Sequence, residues 1–175
     1  MEADAAAEPT LLYVSDPVDE TVYVLALPSG KLVGRLAGLL HPYGMCVDPK
    51  GNVFVVDSGN DIREYKHGAK IAFKILYEGP FADYGCSVDP TTENLAVVNT
   101  FGPSGEDGNI AIYSKARGTP QYYSDPPIFQ YGFCAYDGLG NLYIDGAFRS
   151  SGGIQFAVLP SGRSCPGTWC MSPAA

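Results

Sequence analysis

The sequence has no long amphipathic run of Leu, Ala, Glu and Lys, which argues against a helical fold. No apolar run approaches the ~20 residues that a membrane-crossing helix needs. The opening "MEADAAAEPT" has neither the basic start nor the apolar core of a secretory signal. The chain therefore reads either as cytoplasmic or as lacking an upstream segment. Positive charge is scarce: 11 Lys and Arg stand against 19 Asp and Glu, for a net charge of −8. Such a surface repels phosphate backbones, so nucleic acid is excluded as an expected partner. There is no Ser in a nucleophile-elbow setting, no phosphate-binding loop and no zinc-ligand spacing.

Cysteine is also uninformative as a scaffold. There are 5, an odd number, without the spacing of a disulfide framework. Cys46, Cys86 and Cys134 fall inside apolar strands and read as small buried hydrophobes. A three-cysteine metal site is disfavoured, because their positions slip relative to the following Asp48, Asp89 and Asp137. Cys165 and Cys170, in "CPGTWC", are placed to pair locally in an oxidising compartment. What the chain does contain is Gly (21), Pro (14) and Tyr (12), the composition of short strands joined by turns. Low Lys content with this enrichment leans toward an exported β protein, against which stands the absent signal.

The chain repeats itself. "PYGMCVDPKGNVFVVD" (42–57), "DYGCSVDPTTENLAVVN" (83–99) and "QYGFCAYDGLGNLYID" (130–145) each run Tyr-Gly, apolar strand, Asp-led turn, apolar strand. "LLYVSD" (11–16) matches the second of these strands alone. A hairpin follows in each copy: 21–36, 62–76, 109–124 and, begun, 153–164. The period is roughly 40–47 residues, the signature of four-stranded propeller blades. The blades are expected at 11–38 (partial), 41–79, 81–127 and 129–164 (partial). Residues 1–10 are expected to be disordered and 165–175 to form an irregular tail. "TFGPSGEDG" (100–108) reads as an inserted acidic loop on the channel face.

The segment 42–65 closely resembles the NHL repeat in Pro42, Gly44, Val47, Asp48, Gly51, Asn52, Val55, Asp57 and Asn60. The other copies match more loosely. Lactonase-like propellers of the gluconolactonase and strictosidine-synthase type share this blade. The resemblance implies an all-β propeller of about six blades when complete, and no single activity. Fewer than four blades are present. A ring with open edges is unfavourable, so the expectation is a truncated chain, a homodimer that closes one ring, or a compact four-bladed form.

In such a ring the first strand of each blade lines the channel. Tyr43, Tyr84 and Tyr131 are then expected around its mouth, with Gly44, Gly85 and Gly132 permitting close packing. His41, Phe81, Asp83, Phe129 and Gln130 lie beside them. Such an aromatic rim suits small amphipathic ligands, sugars or peptides, and the alternative is that the tyrosines simply pack between blades. Metal-dependent lactonases resembling this fold carry Asn or Asp where this chain has Tyr, a poor ligand for calcium or another hard cation. The expectation is no cofactor, with a divalent cation such as calcium left open because further blades could carry other ligands. Asp16, Asp48, Asp57, Asp89, Asp137 and Asp145 read as turn residues that accept backbone N–H bonds. His41 has a minor reading as a general base beside Asp83, and His67 reads as solvated. The reading is thus a non-catalytic scaffold that binds a small molecule, peptide or protein at its channel face. The alternatives are a lactonase- or lyase-type hydrolase completed by further blades, and a fragment without independent function.

Overall fold

The computed structural model describes residues 5–58, 61–77, 83–102, 104–149 and 153–161. They form four antiparallel sheets in chain order. Sheet I holds β1 (Leu11–Asp16), β2 (Thr21–Ala26) and β3 (Lys31–Leu36). Sheet II holds β4 (Pro42–Val47), β5 (Val53–Asp57), β6 (Asp61–Tyr65) and β7 (Lys74–Tyr77). Sheet III holds β8 (Asp83–Val88), β9 (Leu95–Phe101), β10 (Asp107–Tyr113) and β11 (Gln121–Tyr123). Sheet IV holds β12 (Ile128–Tyr136), β13 (Leu142–Phe148) and β14 (Ile154–Leu159). Within each sheet every strand pairs with its sequence neighbours, as in a meander.

The Asp-led turns explain why the first two strands of a sheet fold back. Asp48 accepts the N–H groups of Lys50 (2.9 Å) and Asn52 (2.8 Å), and the Asn52 side-chain amide at 2.7 Å. Asp137 repeats this with Leu139 and Asn141. Asp89 does it with Thr91 and Thr92. These bonds hold the Asp89 and Asp137 carboxyls below their ordinary range, against the opposing pull of burial.

Strand alternation then builds three cores from the same strands. Val53 and Val55 of β5 face Val22, Val24 and Leu36 of sheet I. Phe54 and Val56, on the opposite face, meet Leu95 and Val97 of β9. Ala96 and Val98 of β9 turn the other way, against Ile128, Leu142 and Ile144 of sheet IV. A sheet sandwiched on both sides needs apolar residues at every position, and β5 is buried along its whole length. Sheets I and IV end the stack. On sheet IV, Tyr143, Phe156 and Ile154 share an outward face by register and are exposed. On sheet I, Leu12, Val14 and Leu32 are exposed in the same manner.

The first strands of sheets II and III meet closely. A Cβ on Gly44 would lie 2.5 Å from Gly85 Cα and 2.5 Å from the Tyr84 carbonyl oxygen. Just beyond this contact Cys46 and Cys86 form a disulfide with a Cα–Cα distance of 5.6 Å. This corrects the reading of these cysteines as reduced hydrophobes: they still pack against the core, but as a bridge between neighbouring sheets. Cys134 is a free thiol, pushed up to about 12 chiefly by burial. Cys165 and Cys170 lie outside the described residues.

Other expectations also shift. Residues 5–10, expected to be disordered, begin with a 3-10 turn at Ala5–Ala7 whose Ala5 is buried against sheets I and II. The Glu8 carbonyl oxygen lies 2.7 Å from His67 Nε2, within hydrogen-bond distance, so His67 is not merely solvated. The inserted loop is shorter than its sequence suggested, because β9 runs to Phe101 and β10 begins at Asp107. Its Glu106 carboxylate accepts the Ser104 N–H (2.8 Å), and Asp107 pairs with Arg149.

Gly44→Ala is expected to cost about 1–3 kcal/mol in chemical denaturation, since backbone rather than a movable side chain blocks the new methyl. Gly138→Ala, with no atom within 4 Å of its added Cβ, is the control expected to be near neutral.

Candidate functional site

A cleft of about 560 Å³ opens where β4, β8 and β12 begin and where β5 and β9 end. Its lining includes Tyr43, Tyr84, Phe133, Phe101 and Ile154, with Ser58, Thr100, Gln130 and Asp145 as polar members. The Tyr43 and Tyr84 rings stack with centroids 4.8 Å apart and planes 12° apart. Phe133 meets Tyr84 edge-on, at 6.5 Å and 74°. Three aromatic side chains from three successive sheets therefore form one wall.

The wall is made by bulges. Pro42 pairs with Asp57 and Met45 with Val55, which leaves Tyr43 and Gly44 opposite a single residue. Asp83 pairs with Asn99 and Gly85 with Val98, leaving Tyr84 unpaired. Tyr131 pairs with Gly146 and Cys134 with Ile144, leaving Gly132 and Phe133. A bulge re-aims the side chain it leaves out of the ladder. In sheets II and III that side chain is Tyr, whereas in sheet IV it is Phe133.

Tyr131 also borders the cleft, but it does not stand in the aromatic wall with the other two. It is fully buried among Ala96, Val98, Ile110 and Ile144. Its hydroxyl oxygen accepts the Asp125 N–H at 2.5 Å. Burial, more than any charge, pushes its hydroxyl up to about 12. Its ring is thus packed between sheets III and IV while it still forms part of the cleft floor.

The other expected site residues separate likewise. Gln130 lines the cleft. His41 is exposed outside the lining, where its N–H donates to Asp57 (2.7 Å) and its ring Nδ1 meets the Leu40 carbonyl. Asp83 contributes its backbone to β8, while its side chain lies outside the described residues, as does Phe81. Phe129 is half-buried under Arg149, 5.8 Å from its ring centroid.

Polar residues at the ends of the second strands support the rim. Asp57, fully buried, accepts the Leu40 N–H at 2.9 Å as well as that of His41, and lies 3.4 Å from the Arg63 guanidinium. Asp145 accepts the Phe133 N–H at 2.5 Å and so holds the bulge. A Cβ on residue 132 would sit 2.5 Å from that carboxylate oxygen, which explains Gly132. Thr100 carries a buried hydroxyl with no hydrogen-bond partner among the described residues. Among the described residues no group of three or more His, Cys, Asp or Glu is placed to hold a metal ion. The arrangement can stack against flat or apolar groups and can offer them a few neutral hydrogen bonds and one carboxylate.

No protein-family model matches the chain, and no curated protein matches it. Solved structures do. The chain is similar to the hydrazine synthase of Kuenenia stuttgartiensis, with a TM-score of 0.72 and 16% identity over 91% of this chain and 47% of that one. It is also similar to U3-55K, with a TM-score of 0.65 and 9% identity over 87% of this chain and 50% of that one. Both neighbours contain β-propellers. The fold is all-β and propeller-like. The chain spans about half the length of these structures.

Sequence reasoning missed Phe133, Phe101, Thr100 and the role of Asp145. The extra residue between Tyr131 and Asp137, relative to the Tyr43–Asp48 and Tyr84–Asp89 spacings, was a sequence trace of the different bulge in sheet IV. It could not show which side chain each bulge would expose.

Tyr131→Phe is expected to lower stability by about 1–3 kcal/mol, because it strands the buried Asp125 N–H. Tyr84→Phe, which alters an exposed hydroxyl, is expected to leave the denaturation midpoint nearly unchanged.

Proposed function

We propose that the chain is a non-catalytic, NHL-like propeller scaffold that binds an amphipathic small molecule or peptide in the aromatic cleft of its channel face. The carrying observation is the Tyr43–Tyr84–Phe133 wall, half-buried at Tyr43 and exposed at Tyr84 and Phe133, beside an open cleft with few polar groups. Aromatic faces left partly in water gain by stacking on a ligand, and concave apolar sites with a few polar anchors are the usual form of small-molecule pockets. The unpartnered Thr100 hydroxyl and the Gln130 amide are the neutral anchors, and Asp145 favours a neutral or cationic ligand over an anionic one.

Two observations support a non-hydrolytic reading over the lactonase alternative. The side chains that face the cleft from the first strands are aromatic, where a metal-dependent site needs oxygen ligands. Both histidines make their contacts elsewhere, His41 with Leu40 and His67 with Glu8. Exposed apolar faces on sheets I and IV support further sheets stacking at both ends, within a larger chain or from a second copy. The Cys46–Cys86 bridge favours an oxidising, extracytoplasmic setting.

A fragment library screened by aromatic two-dimensional NMR tests the reading. Hits are expected to shift the ring signals of Tyr43, Tyr84 and Phe133, and Tyr84→Ala is expected to weaken them at least tenfold. Binding that ignores Tyr84, or lactone hydrolysis that depends on added calcium, would overturn it.

A further inference from the structure

A second cleft, of about 250 Å³, lies between sheets II and III on the face opposite the aromatic one. The two faces are set by the strands themselves. The aromatic cleft sits at the start of β4 and β8, whereas the second lies at the turns that follow those strands and at the loops after β6 and β10. It is lined by Lys50, Lys66, Lys74, Lys115 and Arg117, from a chain that has only 11 basic residues in all.

Its carboxylates do not neutralise it. Five cations face three carboxylates, of which Asp48 also holds its own turn by taking the Lys50 and Asn52 N–H groups and the Asn52 amide. Glu93 pairs with Lys50 at 2.7 Å, and Glu64 pairs with Lys74. Lys66 rests 5.7 Å from the Phe73 ring centroid. Lys115 and Arg117 are exposed and meet no carboxylate among the described residues. An acidic molecule thus gathers a surplus of positive charge at one concave place.

The backbone there is unusual as well. Of the four described non-glycine residues with positive φ, three line this cleft: Glu93 at 62°, Lys115 at 50° and Ala116 at 49°. Two of them are consecutive, and the Lys115 N–H is held by the Asn94 side-chain oxygen at 3.0 Å. L-residues rarely adopt this conformation, and it persists where surrounding contacts enforce it, often at ligand sites.

We propose that this cleft is a second binding site, for a small molecule bearing a phosphate or diphosphate group. The planar guanidinium of Arg117 suits two phosphate oxygens, and Lys115 and Lys66 supply point charges around them. The site is independent of the aromatic cleft, since the two share no lining residue.

The test is calorimetric titration with inorganic pyrophosphate at constant ionic strength, using the whole chain. Saturable one-to-one binding is expected. The double variant Lys115→Asn, Arg117→Gln is expected to weaken it at least tenfold, while Lys31→Gln and Tyr84→Ala leave it unchanged. Asn tolerates positive φ, so the loop should keep its shape. Should the double variant fail to fold by circular dichroism, Arg117→Lys alone is expected to weaken binding through loss of the guanidinium fork. Heat equal to that of ionic-strength-matched chloride, binding that survives the variants, or a preference for citrate over pyrophosphate would overturn the proposal.

Discussion

The close approach of β4 and β8 is the contact on which the rest of the site depends. Gly44 has no side chain at the place where it meets the Gly85 backbone, so one strand's backbone lies against the other's. That approach puts the Cys46 and Cys86 Cα atoms 5.6 Å apart, within bonding range for a disulfide. It also brings Tyr43 and Tyr84 into a stack. In the chain-entropy account, a bridge that closes a loop of this length adds about 4 kcal/mol. The ring pair adds about 0.5–1.5 kcal/mol more. Both contributions disappear if the strands are forced apart.

Much of the fold was legible in the sequence because its causes are local. Asp-led turns recur, with Asn52 and Asn141 as partners in two copies and Thr91 and Thr92 in the third, so Asp48, Asp89 and Asp137 marked where first strands end. Apolar residues at every position of 53–56 and 95–98 marked strands buried on both faces. The site was less legible because it depends on contacts between sheets. Tyr131 and Tyr84 have the same following residue, Gly, yet one is core and the other wall. The difference lies in where each bulge falls against the second strand, a fact of pairing register. The disulfide was hidden for a related reason. Cys46 pairs with Phe54 and Cys86 with Val97, so alternation points the two cysteines at each other across the core between sheets II and III, a fact visible only once the sheets are stacked.

The strand directions separate two kinds of chemistry. The ends at which first strands begin carry aromatic rings and little charge, while the ends at which they turn carry lysine and arginine between sheets II and III. Each sheet contributes a loop to both faces, so one repeated unit can serve two ligands without either cleft disturbing the core between them. The core itself is ordinary: alternating side chains, each strand serving two neighbours. Both proposed clefts are built on positions that depart from the repeat, the bulges of the first strands and the left-handed residues at 93, 115 and 116.

The most direct measurement is disulfide mapping by mass spectrometry of the folded protein, digested without reductant after thiol blocking. The account predicts a peptide pair joined through Cys46 and Cys86, with Cys134 found as a free thiol. Recovery of Cys46 and Cys86 as separate blocked thiols from protein folded under oxidising conditions, or their pairing with other cysteines, would contradict the close contact between β4 and β8.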